Sequence, residues 1–288
     1  MIEAKSRIAA LVNRMPDADR PGATSKVTGP SPAAAAEAAE KILEGGRESL
    51  LELIGMLRDA LGQGEENYKP GYLLHCVALH VSRSGKESRR RLFAETLASQ
   101  LGGEKPPKDV QSFLVRELQV AGGREVVRAL GRLLGDDELC EFATQALVAI
   151  REGAAPELRT AFGKASGRRR VTLAQALGAV SDEDAVDSLR EASRDDHPDV
   201  RAAAVWSLAR IGSPRGADAV VGAADRAQGW ERIQAHKACL LLAEGLAGSA
   251  KPAAAKRIYE HLLQTTRTEP GERHVLEAAG RGLLETAR

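Results

Sequence analysis

The chain has 288 residues, with 41 basic against 40 acidic side chains, a formal charge of +1 and 3% aromatic residues. That balance excludes bulk attraction to nucleic acid or to an anionic membrane, so any charged partner must meet a local patch. Alanine, leucine and valine carry the apolar fraction, which suits helices packed closely in pairs and not a core built around large rings.

Residues 2–14 favour a short amphipathic helix, whose apolar run is too brief for a signal-peptide core. Residues 16–32 are rich in proline, glycine and small polar groups, which is linker chemistry. Helices follow directly. The first spans 33–43 and is broken by Gly45-Gly46; the second spans 47–61, with Leu50, Ile54, Leu57 and Leu61 at helical spacing. Further pairs are expected at 70–83 with 87–101, 108–121 with 124–134, 137–151 with 156–165, 168–180 with 183–193, and 198–211 with 215–227. A longer pair, 230–247 with 251–265, precedes a closing helix at 271–286. Alternating apolar and polar runs are absent, so no strand is expected. The best apolar run, 238–248, contains Glu244 and is too short to cross a bilayer. Cys76, Cys140 and Cys239 lie far apart in apolar helical stretches and read as small buried hydrophobes in a reducing compartment. The expected location is therefore the cytoplasm.

The strongest signal is a recurring leucine. Aligned on it, segments end at Leu118, Leu147, Leu177, Leu208 and Leu241, at intervals of 29, 30, 31 and 33 residues. Periods of this size mark a solenoid. Four and three residues before four of these leucines stand Leu114 and Val115, Ala143 and Thr144, Leu173 and Ala174, and Ala204 and Val205, completing one helical face. Each second helix has a stripe of its own, such as Val126, Val127, Leu130 and Leu134. A lone hairpin cannot bury both stripes, so the units must stack. The expected organisation is a leading helix and linker over 1–32, then an array over 33–288.

The segment from Asp196 to Gly212, DHPDVRAAAVWSLARIG, resembles the HEAT-repeat family. Pro198 follows the turn, Asp199, Val200 and Arg201 open the helix, and Leu208, Ile211 and Gly212 close it. The likeness is clear over 105–228 and looser outside. The pair over 230–266 also looks slightly like a tetratricopeptide repeat. The resemblance implies an all-α, right-handed α-solenoid of about seven stacked antiparallel helix pairs, acting as a binding scaffold. Asp199 suits the first turn of a helix, and Arg201 can reach an acid of an adjacent layer such as Asp195.

No chemistry-bearing motif accompanies the scaffold. There is no phosphate loop, nucleophile elbow, Cys-x-x-Cys or His-Glu-x-x-His. The pairs Cys76/His80 and His236/Cys239 have helical spacing for two metal ligands each but lack further ligands nearby. Of the HEAT-like enzymes, one family binds iron through His-Glu dipeptides, and none of the six histidines here is followed by glutamate. A second group attaches bilins, and none of its functional motifs matches residue by residue. Asp136-Asp137 and Asp195-Asp196 lie at inter-repeat turns, where carboxylates suit helix N-termini. The expectation is a protein that is not an enzyme and needs no cofactor or metal.

Arginine is the remaining candidate. Arg124, Arg128 and Arg132 are spaced i, i+4, i+8 on one second helix, away from its apolar stripe. Neighbouring second helices carry Arg89, Arg90 and Arg91, then Arg159, then Arg190 and Arg194, with Asp187 and Glu191 positioned to neutralise the last two. In HEAT-like arrays second helices line the concave face, so the resemblance places these arginines in a groove. There they would hold a partner protein or peptide, acidic or extended, through bidentate contacts. The alternative is gripping a nucleic-acid backbone, as HEAT-like DNA glycosylases do, against which the balanced charge and scarce aromatics argue. An enzyme of unknown type ranks third.

Overall fold

A computed structural model describes residues 2–15, 32–62, 68–103, 106–249, 251–267 and 271–286. The linker expected at 16–31 lies outside them. The described residues are all-α and divide into two compact units, 1–154 and 155–288.

The first unit opens with α1 (Ile2–Asn13), followed by the hairpins α2 (Pro32–Glu44) with α3 (Gly46–Gly62), α4 (Lys69–Val81) with α5 (Glu87–Ala98), and α6 (Lys108–Ala121) with α7 (Val127–Leu133). It closes with α8 (Cys140–Ile150). First helices stack on first helices, α2 on α4 on α6 on α8, while α3 packs on α5 in a second row. The leading helix buries Ile8, Leu11 and Val12 against α3 and α4, so it covers the apolar flank of the first layers.

The second unit contains α9 (Ala154–Phe162), then α10 (Gly167–Ala179) with α11 (Val186–Ala192), α12 (Pro198–Ile211) with α13 (Ala217–Arg226), α14 (Gly229–Gly248) with α15 (Pro252–Thr265), and the closing α16 (Arg273–Thr286). Again first helices stack, α10 on α12 on α14 on α16. The helix α12 shows why the local sequence folds this way. The Asp199 N–H donates to His197 Nδ1 at 3.3 Å, Pro198 supplies a first-turn residue with no N–H to satisfy, and Gly212 leaves the helix in the left-handed region at φ 71°.

Leu118, Leu147, Leu177 and Leu208 are fully buried, as their phase requires. The fifth expected anchor, Leu241, is only half-buried. Leu177 and Leu208 are each the eleventh residue of their helix, and in α14 that place belongs to Cys239, which is fully buried. The 31-residue phase thus continues through a cysteine, and aligning on leucine alone missed it. Three second helices also open with a 3-10 turn, over Arg124–Val126, Glu183–Ala185 and Pro214–Gly216, ahead of α7, α11 and α13.

Between α10 and α12 the helices come very close. A Cβ on Gly178 would lie 2.7 Å from the Cα of Ser207, so a glycine is required for that approach.

Candidate functional site

The candidate arginines separate into bridging and free groups. Arg90 reaches from α5 across the Gly122-Gly123 turn to the Ala121 carbonyl at 3.0 Å and to both oxygens of Glu125, at 2.7 and 3.3 Å. Gly123 leaves room for that guanidinium, which a Cβ would meet at 2.8 Å. Burial pushes the Glu125 carboxyl up, but the Arg90 hydrogen bond outweighs it and holds the group below the ordinary range. Arg159 pairs with the buried Asp182 at 2.5 Å and with Asp184 at 3.3 Å, in the turn ahead of α11. Arg89 meets Glu40, which also receives Lys86 at 2.6 Å and His80 at 2.9 Å. Arg91 is held by Glu95 one turn on, Arg190 by Asp187, and Arg124 by Glu152 across an exposed 3.3 Å pair.

Arg128, Arg132 and Arg194 differ. All three are exposed, and none has an ion pair or hydrogen bond among the described residues. Arg128 and Arg132 stand one turn apart on α7, so they present two uncompensated guanidinium groups on a single helix face.

A second set of arginines, which the sequence reading did not connect, runs through the second unit. Arg170, Arg201 and Arg232 are each the fourth residue of α10, α12 and α14, 31 residues apart. Arg201 donates to the backbone carbonyls of Asp195 and Asp196 at 2.8 and 2.9 Å and makes a bidentate pair with Glu231, both bonds 3.0 Å. Arg232 donates to the Ala224 carbonyl at 3.0 Å and to Glu272 at 2.7 Å. Arg170 lies over the Phe162 ring, 4.9 Å from its centroid, and pairs with Asp195 at 3.2 Å. Each arginine therefore joins the segment that precedes its own helix to an acid further along the chain. The expected reach of Arg201 to Asp195 is made to the main chain; the Asp195 carboxylate serves Arg170. The exact 31-residue spacing was the signal for this ladder, and only Arg201 had been singled out.

Two of the residues weighed as metal ligands have other partners. His80 is turned to Glu40, and the Cys239 thiol donates to the Val220 carbonyl at 3.7 Å, where burial pushes its pKa up to about 12. The turn acids cap backbone: Asp136 accepts from the N–H groups of Glu138 and Leu139, and Asp195 from that of His197.

A cavity of about 250 Å³ opens between the first turns of α12 and α14, walled by the small side chains of Ala202, Val205, Ala223 and Ala235. Arg201 and Glu231 at its edge are closed on each other, whereas Arg226 and Gln234 have no partner among the described residues. The two tryptophans of the chain stand one helical turn from lining residues, Trp206 from Ala202 and Trp230 from Gln234, and they are 38% and 57% exposed.

No helix among the described residues is long and apolar enough to cross a membrane. No curated protein matches the chain. Among solved structures, it is similar to the CpcE–CpcF complex of phycocyanin lyase from Nostoc sp. PCC7120, at 16% identity over 93% of this chain and all of that one, with a TM-score of 0.42. It is similar to an engineered protein at 18% identity over 98% of this chain and 79% of that one, with a TM-score of 0.47. A structure from a study of the cadherin–beta-catenin interaction matches at 18% identity over 99% of this chain and 65% of that one, with a TM-score of 0.43. The family model described as HEAT repeats matches residues 155–240.

Proposed function

We propose that this chain is a non-catalytic protein-interaction scaffold of the cytoplasm, holding an acidic segment of a partner protein against the second-helix face of its first unit. The observation that carries the reading is the pair Arg128 and Arg132, exposed and without counter-charge among the described residues, beside Arg90 and Arg124, which are paired with Glu125 and Glu152. Free guanidinium groups one turn apart suit bidentate pairing with carboxylates on an extended segment. Three thiols without disulfides fit a reducing location.

Pull-down with the Arg128→Glu/Arg132→Glu double variant tests the reading. Both side chains are exposed, so the melting curve should match that of the parent, while recovery of the partner should fall at least about tenfold. Undiminished recovery with an intact fold refutes it.

A further inference from the structure

The cavity between α12 and α14 has the chemistry of an anchor site. At about 250 Å³ it lies just below the roughly 300–1,000 Å³ of small-molecule pockets, which suits one bulky side chain better than a cofactor. Its apolar walls are alanine and valine, beside Ser193 and the polar side chains at its edge, so an apolar group entering it displaces water from the alanine and valine surface. Polar groups with spare capacity converge on it: the Arg226 guanidinium and the Gln234 amide.

The surrounding charge gives the sign of the guest. Glu231 is committed to Arg201, Asp225 to His261 at 2.8 Å, and Asp195 to Arg170. Arg226 is thus the uncompensated charge in the lining, and Arg194 follows directly on the lining residue Ser193. The tryptophans extend the surface beyond the cavity. Both tryptophans of the chain are solvent-exposed and each stands one helical turn from a lining residue, and tryptophan and arginine are among the residues most enriched where binding energy concentrates.

We infer that this cavity receives one bulky apolar side chain of an extended acidic peptide, whose flanking carboxylates pair with Arg226 and Arg194 and whose backbone lies across Trp206 and Trp230. This assignment rests on the scaffold reading and adds to it a second contact region with a defined specificity, an apolar anchor beside acids.

A displayed random-peptide library selected against the full chain tests it. Enriched sequences should carry one large apolar residue next to aspartate or glutamate. A synthetic copy of an enriched peptide should change the emission of the two tryptophans. Ala202→Phe, which fills the cavity, and Arg226→Glu, which reverses its charge, should each weaken that peptide at least about tenfold, with unchanged melting curves. The Arg128→Glu/Arg132→Glu variant should bind it as the parent does. The inference is overturned if both cavity variants bind normally, if the enriched peptides lack acids, or if no peptide is enriched. In each of those cases the scaffold reading still stands or falls on its own pull-down.

Discussion

Glu117 lies buried on α6, where its carboxylate meets His75 Nδ1 at 3.0 Å. Burial pushes its pKa above the ordinary glutamate value, and the His75 hydrogen bond and charge offset only part of that. A carboxyl whose folded value is raised contributes its stabilisation fully below the unfolded value and loses it as pH rises through the folded one. Above its folded value, Glu117 is therefore a buried charge that the fold tolerates at a cost. Glu117→Gln keeps a hydrogen-bonding group beside His75 and removes that charge. The variant should melt above the parent at about pH 8, with the gap closing towards about pH 5. A gap that widens on acidification would refute the assignment. Nothing in the sequence distinguished this glutamate from its neighbours, because its cost arises from α4 lying across it and not from spacing on its own helix.

For single helices, contact distance decides which substitutions help. Gly178→Ala would gain about 1 kcal/mol of helix propensity, but the added methyl meets the backbone of Ser207, which cannot rotate away. Overpacking typically costs about 1–3 kcal/mol, so a net loss of up to about 2 kcal/mol is expected in a urea melt. Gly245→Ala is the matched control. Nothing lies within 4 Å of a Cβ at that position on α14, so it should gain about 0.5–1 kcal/mol. Helix existence and phase were legible from the periodicity of Leu118, Leu147, Leu177 and Leu208. The substitution of Cys239 for the next leucine was not, because a leucine-rich stretch supplied a false match two residues on. The 3-10 openings of the second helices were equally hidden, since they depend on how each turn meets the layer beside it. The arginine candidates were legible as positions but not as roles. Spacing placed Arg90 and Arg128 alike, and only cross-layer distances separate a neutralised bridge from an exposed cation.

Within each unit, stacking makes stability a matter of neighbours. Leu177 is fully buried in α10, so Leu177→Ala should cost about 2–5 kcal/mol in a thermal or denaturant melt. Amide exchange should rise first in α10 and α12, which share that seam, and least in α16. Equal acceleration through the second unit would mean that it opens as one block. The division into units at 154/155 had no counterpart in the sequence, where one period runs from the first unit into the second. The ladder of Arg170, Arg201 and Arg232 carries a consequence for how such a chain changes length. The arginine of every clasp occupies the same place of a 31-residue module, but the acids that answer it, Asp195, Glu231 and Glu272, stand at different places, so each clasp belongs to its own pair of layers. Tandem copying of the α12–α13 module would set a second Val200 where Glu231 answers Arg201, so a genetic event that lengthens the protein there must also supply a new acid at the joint.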